Sequence, residues 1–173
     1  MPDTVTIRKA FGRAVQVLTS RPQIGRKTDI TRVRVGDGLT CEIEDGPWKM
    51  TADLATKAGG NGAGPTPGTF GRAALGSCLA ISYVMWAAYL DIPLTHVEVE
   101  VQTDSDMRGM YGVGEVAAGY TAVRYVVTIE STASCQDILR LLDTAEQHSP
   151  YVEVFRRPQH LQRAVVHIRR GKE

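Results

Sequence analysis

Most of the features that announce a function are missing from this chain. Its three cysteines, Cys41, Cys78 and Cys135, are odd in number, widely spaced and without a CxxC pair, which excludes a disulfide framework and a cysteine-rich zinc site. No excess of one charge exists either: 20 Lys and Arg stand against 19 Asp and Glu, a net of +1, so a nucleic-acid partner, which needs concentrated positive charge, is not expected. The C-terminal arginines Arg156, Arg157, Arg163, Arg169 and Arg170 are diluted by apolar neighbours. His96, His148, His160 and His167 share no ligand spacing, and no metal or other cofactor is expected. Neither a GxSxG elbow nor an HExxH helix occurs, which leaves serine hydrolase and zincin chemistry without a motif. Gly59, Gly60, Gly62 and Gly64 are not followed by Lys-Ser/Thr and miss the GxGxxG register, so they read as a flexible approach to the next element and not as a phosphate loop. No secretory signal opens the chain, and a reducing, cytoplasmic location is expected.

Long uncharged apolar runs are scarce too, with one exception. Between Ala73 and Leu90 no residue is charged, and the apolar side chains are spread around every face, the pattern of a helix buried on all sides. Thr66 can cap it, Pro67 suits its first position, and Asp91, Ile92 and Pro93 stop it. The run is close to the minimum for a bilayer span. Gly76, Ser77, Ser82, Tyr83 and Tyr89 dilute its hydrophobicity, however, and half-apolar strands on both sides need something to cover, so no membrane span is expected. Cys78 sits near the middle of the run, as either a small packing residue or the centre of the chemistry.

Around this helix the periodicity predicts an α+β domain. Phe11, Ala14, Val15 and Leu18 mark a helix over about 3–18, in an N-terminal arm of residues 1–29. A single domain follows over 30–173. Val33 and Val35, then Leu39, Cys41 and Ile43, predict a hairpin around Gly36, Asp37 and Gly38, and Trp48, Met50, Ala52 and Leu54 a third strand. Cys41 falls on the apolar side, as a buried packing residue. Val97, Val99 and Val101 mark one later strand, and Val123, Tyr125, Val127 and Ile129 another. Between them Asp104, Asp106, Gly109 and Glu115 mimic places one, three, six and twelve of an EF-hand, but Arg108 takes the fifth and strands flank the loop, so calcium is excluded. Ser134 with Asp137 predicts a capped amphipathic helix through His148, with Cys135 in its first turn as the rival reactive thiol. A short helix from Ser149 to Phe155 and a last strand through Leu161, Ala164, Val166 and Ile168 complete the chain.

Several segments in this order resemble one family. Gly-Pro-Thr-Pro at 64–67, AALGSCLA at 73–80, the strand ending in Asp106-Met107-Arg108-Gly109, residues 129–138 and AEQHSP at 145–150 are similar to the OsmC/Ohr family over roughly 30–168. The resemblance implies an OsmC-like fold, an antiparallel sheet wrapped around a long buried central helix, in an intertwined homodimer. It also implies thiol-dependent reduction of organic hydroperoxides, with Cys78 at the place of the peroxidatic cysteine. Ser149 stands where the family's second, resolving cysteine should be, and Gly68 and Thr69 stand where a supporting carboxylate should be. The supporting arginine is open among Arg21, Arg26 and Arg32; Arg72 does not share the face of Cys78.

Two functions follow from these expectations. One is a single-cysteine organic hydroperoxide reductase of the oxidative stress response, its Cys78 reduced by an external thiol. The other is a non-peroxidase relative that binds a small apolar ligand or partner in an interface pocket near Phe70, Cys78, Met85 and Trp86. Under either, one sheet covers only one side of an all-apolar helix, so two chains are expected to pack through their central helices. Size-exclusion chromatography at low micromolar protein should show a dimer, and a monomer alone would refute the pairing.

Overall fold

The charge-free run forms the longest helix of the computed structural model, which describes residues 3–36 and 38–167. This helix, α2 (Pro67–Leu90), has Thr66 as N-cap and Pro67 at its first position, but the Thr66 hydroxyl makes no capping bond and lies 3.2 Å from Thr69 Oγ1 instead. It ends at Asp91, whose backbone is left-handed (φ 62°) and whose N–H closes on the Ala87 carbonyl.

One side of α2 rests on a two-stranded antiparallel sheet, β4 (His96–Ser105) against β5 (Tyr120–Glu130). Val97 pairs with Ile129, Val99 with Val127 and Val101 with Tyr125, and because strand side chains alternate, these apolar pairs turn to the helix while the intervening Glu98 and Glu100 face out. Gly76 permits the close approach: a Cβ there would stand 3.3 Å from the Val101 side chain. The adjoining side is covered by α4 (Cys135–Gln147) and α5 (Pro150–Arg156). Leu75, Leu79 and Tyr83 of α2 meet Ala145 and Val152 there, and Ala87, Ile92 and Leu141 extend the core. Within the β4–β5 connection, expected as loop, lies a single turn, α3 (Met107–Met110).

The remaining strands, β1 (Thr31–Val35), β2 (Cys41–Asp45) and β3 (Trp48–Ala52), form a second antiparallel sheet in that order, so the strands sort into two sheets where one was expected. The alternation was read correctly, yet its apolar face lacks a cover: Val33 is 57% exposed, Val35 63% and Trp48 70%. Cys41 is accordingly half-buried, not buried. On α2 itself Ile81 is 59% exposed, with Val84, Met85 and Tyr89 beside it also open. Within one chain the central helix is therefore left uncovered along the face that carries Ile81 and Val84, and is not buried on all sides.

Two further expectations need correction. The glycine-rich approach to α2 is not a free tether but is wound around the carboxylate of Asp53, 2% exposed, which accepts hydrogen bonds from Leu54 N, Asn61 N, Ala63 N and Thr40 Oγ1. Gly60 is required there, since a Cβ would fall 2.0 Å from the Leu54 carbonyl oxygen. Burial pushes the Asp53 carboxyl up, but these four bonds outweigh it and hold it below the usual range. The expected last strand does not form: residues 158–167 have no regular structure, and Leu161 and Val166 are 92% and 88% exposed. Ile168 lies outside the described residues, as does Asp37 of the hairpin turn. Residues 158–167 join neither sheet, so the alternating pattern forms no ladder. The N-terminal helix does form, as α1 (Thr4–Ser20), capped by Asp3 accepting from Thr6 N.

Leu79 of α2, fully buried in the cluster with Ala145 and Val152, is a position where a cavity is costly. Leu79→Ala should lower unfolding free energy by about 2–5 kcal/mol, the range for emptied core leucines. The urea midpoint measures it.

Candidate functional site

Cys78 lies on the half-covered flank of α2, and its Sγ is 3.3 Å from the Ser149 hydroxyl oxygen, although the two residues are 71 apart in sequence. Ser149 is 2% exposed. It occupies the N-cap of α5 with Pro150 at the first position, where serine ordinarily bonds a helix amide. Here it makes no such bond, and the hydroxyl is turned to the thiol. Backbone bonds fix the corner on both sides: Ser149 N donates to the Glu146 carbonyl and Glu153 N to the Ser149 carbonyl.

Glu146 anchors the same corner through its side chain. The hydroxyls of Tyr83 on α2 and Tyr125 on β5 donate to its two carboxylate oxygens, at 2.9 and 2.7 Å. Burial, and then the bond and charge of Glu146, push both phenols up, Tyr125 to about 12 with Arg156 nearby opposing the shift. None of these three residues stood out in the sequence. The available signal was Glu146 itself, one helical turn beyond Leu142 on the apolar side of α4, where a carboxylate needs partners.

The other sequence candidates are placed elsewhere. Arg21 ends α1, Arg26 follows the 3-10 turn Pro22–Gly25 and Arg32 is on β1; all three are exposed, and among the described residues none bonds to Cys78. Arg72 reaches Thr69 Oγ1 at 3.4 Å and passes close to Gly68, the stretch where the resemblance implies a carboxylate. Cys135 is exposed at the start of α4, in the same turn as Asp137. Asp104 and Asp106 are engaged by Arg124 and Arg108, whose hydrogen bonds hold both carboxyls below their usual range. Among the described residues no group of three or more His, Cys, Asp or Glu is arranged to hold a metal. Met85 lines an apolar groove of about 540 Å³ with Ile7, Phe11, Val15 and Leu18 of α1, and neither Cys78 nor Phe70 is in its wall.

The structure thus defines an α+β protein in which one long apolar helix presents a half-buried thiol to the hydroxyl of a helix corner. The family model for OsmC-like proteins matches residues 59–162, which is more than half of the chain, and the chain belongs to that family. Curated proteins give no match. Among solved structures, an OsmC-like protein from Mycoplasma pneumoniae superposes with a TM-score of 0.65 at 15% identity, over 75% of this chain and 88% of that one. An organic hydroperoxide resistance protein OsmC from Legionella pneumophila gives 0.54 at 18%, over 75% and 90%. One from Elizabethkingia anophelis, with thiocyanate bound, gives 0.56 at 14%, over 76% and 89%. At these identities the likeness is one of fold.

The Tyr125–Glu146 bond makes an alkaline prediction. The folded protein keeps the Tyr125 proton to about pH 12, whereas an unfolded tyrosine releases it near 10.0, so stability present below pH 10 is lost as pH rises toward 12. Urea midpoints across that window should fall less steeply in Tyr125→Phe than in the parent.

Proposed function

We propose that this protein is a one-cysteine organic hydroperoxide reductase, acting as a homodimer in a reducing compartment such as the cytoplasm. The observation that carries the reading is the contact between Cys78 Sγ and the buried Ser149 hydroxyl at 3.3 Å. The Ser149 O–H can donate to a thiolate or to its oxidised form. Membership of the OsmC-like family and the fold shared with two organic hydroperoxide resistance proteins support the substrate class. The open faces of α2 and of the β1–β3 sheet support the homodimer.

In the proposed cycle the Cys78 thiolate attacks the distal oxygen of ROOH. An S–O bond forms, the O–O bond breaks, the alkoxide leaves and takes a proton, and Cys78 is oxidised by two electrons to the sulfenic acid. Serine cannot form a disulfide, so the next step needs an external thiol. Its sulfur attacks Cys78, water leaves, and a mixed disulfide remains, which a second thiol reduces. The binding alternative draws on a different observation, the groove between α1 and Met85. It has volume for a small apolar ligand.

The deciding measurement is stopped-flow reaction of reduced protein with cumene hydroperoxide and with hydrogen peroxide, followed by mass-spectrometric mapping. Fast oxidation confined to Cys78, preferring the organic peroxide and losing all turnover in Cys78→Ser, is the expected result. Slow or unselective oxidation, or oxidation at Cys135 alone, would refute the reductase and favour the binding alternative.

A further inference from the structure

The N-terminal helix lies outside the residues matched to the family, and it joins the body at two points. Arg8 Nε donates to the Ala88 carbonyl at 2.6 Å while its guanidinium pairs with Asp91, so a cation meets the C-terminal end of α2. One turn on, the Phe11 ring stacks on Tyr89 with centroids 4.5 Å apart and meets Trp86 edge-on at 4.9 Å. Trp86 in turn stacks on His148, at 5.1 Å and an interplanar angle of 21°. His148 is the C-cap of α4, and the residue after it is Ser149. A row of ring contacts therefore starts on α1 and ends one peptide bond from the hydroxyl that touches Cys78.

We propose that α1 is a positioning element for the Cys78–Ser149 pair: Phe11 keeps Trp86 stacked on His148, and this holds the α4–α5 corner where Ser149 Oγ meets Cys78 Sγ. Glu146 ties the corner down through Tyr83 and Tyr125, and Trp86 is its aromatic support. The His148 backbone N–H is held by the Ala145 and Glu146 carbonyls, and Trp86 is the ring stacked against its exposed side chain. Trp86 is half-buried: it packs against both core clusters, and Phe11 and Tyr89 also contact its ring. Without Phe11 the indole gains room, and the corner loses the surface on which it rests. The consequence for peroxide reduction rests on the function proposed above, but the geometric coupling does not.

The test reads that geometry without peroxide. In full-length protein carrying Ser149→Cys, Cys41→Ser and Cys135→Ser, diamide should join Cys78 to the introduced thiol, and the rate of disulfide formation clocks how often the corner and α2 are in register. Adding Phe11→Ala should slow it about two- to tenfold, the factor one aromatic pair supplies. Phe11→Tyr should restore the parent rate. Arg8→Ala, which loosens α1 while leaving every ring in place, should slow it as well. Unchanged rates in both variants would overturn the proposal. If Phe11→Ala does not fold, Arg8→Ala decides alone, slowing for the proposal and an unchanged rate against it. Stopped-flow on protein with Ser149 intact separates the two ideas: an unreactive Cys78 refutes the reductase whatever the diamide rates, and unchanged diamide rates refute the role of α1 even if Cys78 reacts.

Discussion

A helix without a charge between Ala73 and Leu90 cannot be left in water on any side, and the rest of the chain is arranged by that demand. β4 and β5 bring valines to one face, α4 and α5 bring Leu141, Ala145 and Val152 to the next, and α1 lays Phe11 over Trp86 and Tyr89. At about 25 cal/mol per Å² of apolar surface removed from water, each such cover outweighs any single hydrogen bond in the molecule. What a single chain cannot reach stays open around Ile81 and Val84, and the β1–β3 sheet is open in the same way. Those are the surfaces that the proposed second chain would close.

The site is a by-product of this packing. Bringing α4 and α5 against α2 carries a helix corner to the middle of the apolar run, and the corner arrives with polar groups that need partners. Glu146 finds them in Tyr83 and Tyr125, and Ser149 finds Cys78. Among the described residues no buried side-chain nitrogen or oxygen is left unpaired. A hydroxyl is a weaker support for a thiolate than a guanidinium, because it offers one dipole and no charge. Under the proposed function the pair would differ in its resolution step from the site the resemblance implies, because Ser149 stands where a second cysteine should be.

Much of this was legible residue by residue. The all-round apolar pattern with Thr66-Pro67 before it and Asp91 after it specified α2, and strict alternation specified β4 and β5, because burial acts on the same periods the backbone imposes. The capping pair Ser134 and Asp137 marked the start of α4, where Asp137 N donates to Ser134 Oγ. The last strand failed for a reason no local pattern carries: alternation becomes a strand only where a ladder forms, and residues 158–167 join neither sheet. The glycines before α2 misled in the same way. Their role is set by Asp53, whose four hydrogen-bond donors lie up to 13 positions away along the chain.

By itself the sequence determined most of the elements, the dominance of one helix, and Cys78 as the thiol to watch, since composition and period act locally and a resemblance carries residue order. Only the tertiary structure decided which groups meet. The 3.3 Å approach of Ser149 to Cys78, the two tyrosines on Glu146, and the row from Phe11 through Trp86 to His148 each join elements distant in sequence. Such contacts depend on how the apolar faces pack together, and that packing is a property of the whole chain.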